Sequence, residues 1–358
     1  MNTFAAYRRL FTVNLGLRAR DRVLVLAEPD SAPFAAEIAA AGRTAARVRF
    51  AVHAATGGNG IEPGETAWRA AFGGAVVESL RAAGVLAPLL AKRATPAQLR
   101  RAAAIVRRGR RDGPAGALFV NRFSLSHTKF RWLLTDAARA RVGSCPGLRP
   151  EMFRTAMRAA ARPMAERTER LARLLSRASR AEVRAPGGTR FSCSLRGRAG
   201  HADTGLIRPG TFSNLPAGEA YIAPVEGTAE GAVSAGYGRG GPFPGGLRFV
   251  LRRGRAAAVA GGGRRGRELA ALFRRHPECA VLAEFALGTN GKATTRTSTL
   301  EAEKILGTVH VAFGDNATFG GRNRAEFHSD FVVFRPTVML ADARGRKRVI
   351  LEGGRLQI

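Results

Sequence analysis

The sequence predicts an α/β chain in two parts: an N-terminal α/β domain at residues 1–180, then a β-rich α+β domain at residues 181–358. Three observations carry this expectation. The chain has 358 residues, 45% of them hydrophobic, enough for two cores of ordinary size. Its first part alternates continuous apolar runs, the pattern of strands buried on both faces, with segments of helical composition. From about Glu182 onward, short β-type segments separated by glycines take over.

In chain order, Arg22 to Glu28 holds an unbroken apolar run and reads as a buried parallel strand, ended by the prolines at 29 and 33. Phe34 to Ala41 has helical composition and Ala46 to Val52 returns to strand. Alanine- and arginine-rich helices are expected over 76–110, and Ala115 to Val120 is a further strand. The stretch from Leu148 to Arg184 contains few breakers and reads as one long helix. In the second part, strands are expected at Thr189 to Leu195, Ala220 to Val225, Gly246 to Leu251 and Arg255 to Ala260. A helix is expected at Glu268 to Arg275, after the glycines 261–263. Those glycines lack the lysine and hydroxyl of a phosphate-binding loop and read as a turn.

The formal net charge of +31 suggests a polyanion partner, but the distribution argues against a specific one. The lysines are Lys92, Lys129, Lys292, Lys304 and Lys347, so nearly all of the 58 basic residues are arginines, and these are scattered without a basic tail. No nucleic-acid-binding motif accompanies them. No specific nucleic-acid partner is expected, only salt-sensitive adhesion. No apolar run reaches the roughly 18 residues of a membrane span. The opening residues lack a signal peptide's apolar segment, so no membrane association and a cytoplasmic location are expected. Cys145, Cys193 and Cys279 are far apart and lack paired spacing, which excludes a thiolate zinc site and points to incidental thiols.

Four segments of the second part carry ionisable residues in apolar, strand-like surroundings. Glu219 follows a Pro/Gly turn, Glu284 sits mid-strand, and His310 lies inside the strand after Gly307. Residues 298–301 (Ser, Thr, Leu, Glu) read as a capping box opening a short helix before it. His328 and Asp330 are two apart on one strand and should share a face. A single strand histidine or glutamate is more often a satisfied core residue. Two glutamates, two histidines and an aspartate together form a mixed oxygen/nitrogen donor set suited to zinc, cobalt or manganese. Two such ions could activate a water and polarise a carbonyl.

The segments NLPAGEAYIAPVEGTAEG, EFALGTN, LEAEKILGTVHVAFGDN, FGG and FHSDFVV, with SLSHTKFRWLLTDAARARVGSCPGLRPEMF in the first part, occur in order across most of the chain. Together they resemble the aminopeptidase T / aminopeptidase S family of metallo-aminopeptidases, of the thermophilic metalloprotease type. The resemblance implies an N-terminal α/β domain, a C-terminal catalytic domain holding two divalent metal ions, a short peptide substrate and a homodimer. It implies that Glu219, Glu284, His310, His328 and Asp330 are the metal ligands, with Glu284 bridging. Glu219 and Glu284 are the candidate catalytic carboxylates. The chain departs from the family where a tyrosine is expected shortly after the first histidine. Residues 311–321 contain none, and Phe319 offers no hydroxyl. Asp315 and Asn316 could compensate or simply make the turn.

Two other classes fit the same residues. His310, His328 and Asp330 alone form a two-histidine, one-carboxylate set, as in non-haem Fe(II) ring-cleaving dioxygenases. A metal-stabilised binding protein without catalysis is the third.

Overall fold

The computed structural model describes residues 3–358. The chain divides into two compact units: Met1–Ala161 with Gly205–Pro216, and Arg162–Thr204 with Ala217–Ile358. The expected boundary at 180/181 instead lies within a strand of the second unit. The expected long helix is also three things: 3-10 turns at Pro150–Arg154 and Ala156–Arg158, a helix at Ala161–Arg177, and a strand at Ala178–Ala185. The helix buries Met164, Ala165, Thr168, Leu171, Ala172 and Leu175 at helical spacing. The strand buries Ala178, Ala181 and Val183. Arginines fill most of the exposed positions of both, which hides the change of period in the sequence. The return of residues 205–216 to the first unit has no local signature at all.

The first unit contains a parallel sheet. Strands β1 (Arg22–Ala27), β2 (Arg47–Val52), β3 (Gly116–Val120) and β4 (Arg141–Ser144) are joined by the short strand Phe212–Asn214, which is β8 in chain order. The order is β2-β1-β3-β4-β8. The central strands β1 and β3 are buried almost throughout, as their apolar runs require. Trp68, Phe72 and Phe130 pack over Leu24, Leu26 and Phe119 on one side of this sheet.

The second unit is built on an antiparallel sheet. Its first strands are β5 (Ala178–Ala185), β6 (Thr189–Ser194), β7 (His201–Asp203) and β9 (Glu219–Ile222). The hairpin of β10 (Glu230–Gly238), β11 (Gly241–Arg252) and β12 (Arg255–Gly261) follows. Then come β13 (Leu282–Gly288), β14 (Val309–Gly314) and β15 (His328–Val333). The chain closes with β16 (Thr337–Asp342), β17 (Lys347–Glu352) and β18 (Arg355–Leu356). The run β10-β15-β14-β13-β9-β7 carries the residues that matter below.

Alternation sorts those strands. Ala220, Ile222, Phe285, Leu287, Val309, Val311, Phe313, Phe331 and Val333 all enter one hydrophobic core on one face of the sheet. Residues of opposite parity face the other side. In β13 this sorting depends on a bulge: Leu282 pairs with Phe313 but Glu284 pairs with Ala312. Leu282 therefore joins the core while Glu284, two residues on, faces away from it. Among the described residues no helix is long and apolar enough to cross a membrane.

Candidate metal centre

Cross-strand pairing brings the ionisable residues into rows on the face opposite the core. One row runs His201, Tyr221, Ala286, His310, Val332. The next holds Asp203, Glu219 and Gly288. A third holds Glu284, Ala312 and Asp330. Ala286 and Ala312 are short, so longer side chains on either side can lean over them and meet. Gly288 has no room for a side chain, since a Cβ there would lie 2.0 Å from the Ile305 carbonyl oxygen. Gly218, which delivers the chain into Glu219, holds φ at 118°, and a Cβ would lie 2.7 Å from the Asn290 side chain.

The five expected residues do converge. His310 Nε2 lies 3.3 Å from Glu219 Oε2 and 3.5 Å from Glu284 Oε1. His328 Nε2 lies 3.3 Å from Glu284 Oε2 and 3.6 Å from Asp330 Oδ1. Two groups with metal-holding geometry result: Glu219, Glu284 and His310, all buried, and Glu284, His328 and Asp330, the second partly open to solvent. Glu284 belongs to both, one oxygen toward each. The alternative set of His310, His328 and Asp330 is thus divided, His310 falling in one group and the other two in the second.

These residues fit divalent cations on three counts. First, the contacts at 3.3–3.6 Å exceed a normal N–H···O bond of about 2.7–3.2 Å. They match the roughly 3.4 Å between neighbouring ligands of a tetrahedral ion with bonds of about 2.1 Å. Glu219 Oε2 is buried without a hydrogen bond. Second, each histidine places Nδ1 against a backbone carbonyl, His310 on Glu303 at 3.1 Å and His328 on Asp315 at 2.8 Å. A carbonyl only accepts, so Nδ1 carries the hydrogen and Nε2 is the nitrogen left to ligate. Third, the charges do not balance as they stand. Asp203, Glu219, Glu284, Glu303 and Asp330 face one lysine, Lys304. Protonating both imidazoles still leaves a negative excess. Two divalent cations with neutral imidazoles offset that excess.

Lys304 was not legible as part of this site. Its side chain is fully buried, with Nζ 2.5 Å from Glu219 Oε1, 2.9 Å from Glu303 Oε1 and 3.9 Å from Asp203 Oδ2. It fixes one Glu219 oxygen and leaves the other turned toward His310. In sequence, Lys304 and Glu303 sit in a run of charged residues that reads as a solvated helix end; the capping-box helix is in fact one turn, Thr299–Ala302. Asp203 and Tyr221 were also missed.

The electrostatics follow from this crowding. Burial alone would lower both histidines, yet the carboxylates facing their Nε2 atoms outweigh it and hold both pKa values well above the ordinary imidazole range. Burial likewise opposes ionisation of Glu219, Glu284 and Asp330. Lys304 and His310 at Glu219, and the two histidines at the others, win and keep all three below the usual carboxylate range. Glu303 goes the other way: burial, with the charges of Asp330 and Glu219, pushes it up to about 8 against the pull of Lys304.

The segment between β14 and β15 closes over the cluster where a tyrosine was expected. Asn316 is fully buried and makes the turn, donating to Glu226 Oε1 at 3.0 Å and accepting from Asn323 N–H at 2.9 Å. Asp315 accepts at its carbonyl from His328 and at its carboxylate from Ala325 N–H. Neither compensates for a phenol. Phe319 sets its ring edge-on to both Tyr221 and His328, with centroids 5.6 and 6.0 Å away.

No protein-family model matches this chain, and no curated protein matches it in sequence. Solved structures do match in fold. The structure of 2,5-dihydroxypyridine dioxygenase from Pseudomonas putida KT2440 aligns with a TM-score of 0.70 at 17% identity, covering 99% of this chain and 96% of that one. Wild-type AmpT from Thermus thermophilus aligns with a TM-score of 0.63 at 18% identity, covering 100% of this chain and 99% of that one. At these identities the likeness establishes the α/β two-part fold.

Proposed function

We propose that this chain is a metal-dependent aminopeptidase that hydrolyses the N-terminal bond of short peptides at a centre for two divalent ions. The observation that carries the reading is the pair of three-ligand groups sharing Glu284. The fold likeness to AmpT, an aminopeptidase T, supports it. Glu219, Glu284 and His310 would hold one ion, and Glu284, His328 and Asp330 the other. Bound ions would supply Lewis acidity and a water acidic enough to ionise near neutral pH.

The chain's own residues do the rest. The Glu303 and Asp315 carbonyls lock both imidazoles with Nε2 inward, and Lys304 holds Glu219 in one orientation. In the metal-free site the Glu303 carboxyl, pushed up to about 8, holds a proton near neutrality beside this cluster, where Glu219 and Glu284 are held ionised.

A second reading has its own support, the fold likeness to a ring-cleaving dioxygenase. Metal analysis of protein purified without chelators, followed by two assays, separates them. Close to two zinc, cobalt or manganese ions per chain, with release of amino acids from unblocked peptides, is the expected result. One iron per chain with oxygen uptake on a dihydroxypyridine would replace the aminopeptidase reading.

A further inference from the structure

We infer that the Tyr221 hydroxyl is the hydrogen-bond donor this site offers to the carbonyl oxygen of the scissile bond. The inference rests on the aminopeptidase reading above and deepens it. Tyr221 follows Glu219 by two residues on β9, so its side chain leaves the same face. In its row only Ala286 separates it from His310. A methyl group is too short to screen the ring from the ligand cluster. Tyr237 shares that row but lies beyond Val332, in a separate apolar cluster with Ala302.

The ring is held in place from two sides. His201 stacks on it, with centroids 5.2 Å apart and planes 28° from parallel, and His201 Nε2 lies 3.2 Å from the Phe319 carbonyl oxygen. Phe319 packs edge-on from the other side and also touches His328. These contacts use the faces and edge of the phenol ring. Its hydroxyl has no hydrogen-bond acceptor among the described residues, and Tyr221 is only half-buried where Glu219 and His310 are buried. A rigid aromatic whose polar end is unused, partly open to solvent and in one row with His310, is placed to serve a bound molecule.

The chemistry needs such a group. Water oxygen bonds to the carbonyl carbon, and the π pair moves onto the carbonyl oxygen. The C–N bond then breaks as the pair on that oxygen re-forms C=O, the bonding pair leaves on nitrogen, and the leaving nitrogen takes a proton from the attacking water. The phenol donates a hydrogen bond to the oxygen while it carries negative charge and keeps its own proton throughout.

The test is Tyr221→Phe, which retains the ring and its packing. Metal content and melting temperature should match the wild type. Calorimetry on the metal-loaded proteins would compare an α-aminoalkyl phosphonic acid, whose tetrahedral oxygens mimic the charged intermediate, with the matched alkylamine, which lacks them. The variant should bind the phosphonic acid about 30-fold more weakly and the amine about equally, with kcat lowered roughly 10²–10³-fold and KM little changed. Equal affinity for the phosphonic acid in both proteins, or parallel loss of both ligands, would overturn the inference; so would failure of the wild type to bind the phosphonic acid. Wild-type hydrolysis is scored separately. Selective loss of phosphonate binding with no wild-type hydrolysis would remove the aminopeptidase reading and leave the phenol's role standing. Hydrolysis unaffected by the substitution would do the reverse.

Discussion

Each unit buries a histidine beside a glutamate, and the two arrangements differ in what completes them. In the first unit, Glu28 follows β1 and His53 follows β2, both almost fully buried. Glu28 accepts from Thr56 N–H at 3.1 Å and from Arg122 N–H at 2.8 Å, so backbone donors satisfy both oxygens. Burial lowers the His53 pKa, keeping the imidazole neutral, and with the Asn121 amide turned so that its oxygen faces the ring, His53 Nε2 donates to it at 3.2 Å. In the second unit the glutamates face imidazoles and one another across ligand-length gaps, and the histidines are driven toward the charged form. A buried acid closed by backbone N–H groups holds loops together. Acids gathered without enough donors are arranged for cations.

Paired substitutions give the largest test of that contrast. Glu284→Gln should reduce bound metal from about two ions to less than one per chain and lower hydrolysis at least about 10³-fold, the fold staying intact by circular dichroism. Glu28→Gln should leave metal content unchanged and cost about 1–3 kcal/mol of stability, as one amide hydrogen meets a backbone N–H. Metal lost from the Glu28 variant, or full activity in the Glu284 variant, would erase the distinction.

Lys304→Met should come next. It strips the one lysine from three buried carboxylates and should cost the metal-free protein about 3–5 kcal/mol in chemical denaturation. Saturating metal should return part of that loss, because cations then offset the same carboxylates. A loss untouched by metal would mean that Lys304 serves packing alone.

The smallest of the three effects is on pH. His310 and His328 have folded pKa values above the ordinary one, so in metal-free protein their stabilisation is complete below about pH 6.5 and fades as pH rises through the raised values. Glu303, raised to about 8, has the same sign. Glu219, Glu284 and Asp330 are lowered, so their contribution is present above about pH 4 and is lost on acidification. Metal-free protein should therefore melt highest in the mildly acidic range and soften by several degrees toward pH 9. Metal-loaded protein should not, since bound ions take the place of the protons. Parallel melting curves would show that the histidines are not coupled to the ion sites.

What was legible in the sequence follows the range of the physical signal. Val23 to Leu26 and Gly116 to Val120 read correctly because a strand buried on both faces needs a continuous apolar run. His328 and Asp330 read correctly because strand alternation places i and i+2 together. The same rule applied to Glu219 would have picked out Tyr221. Lys304 was missed because burial of a charge is a property of its partners: Glu219 and Asp203 come from strands 85 and 101 positions earlier in the chain. The bulge in β13 left only a faint trace, a core spacing of three between Leu282 and Phe285 amid spacings of two.

The anionic cage sits in a chain whose formal charge is +31. A divalent ion approaching from solution first meets a repulsive field, and the sign reverses only within about a Debye length of the carboxylates. Ion capture is then a barrier-crossing problem whose barrier salt should lower. Stopped-flow uptake of cobalt should accelerate as sodium chloride is raised, opposite to an acidic metalloprotein; deceleration would show that the local carboxylates govern the whole approach. The same field slows escape less than it slows entry, so once filled the ions stay by coordination rather than by long-range attraction, and polyanionic chelators will be drawn to the protein before they reach the metal.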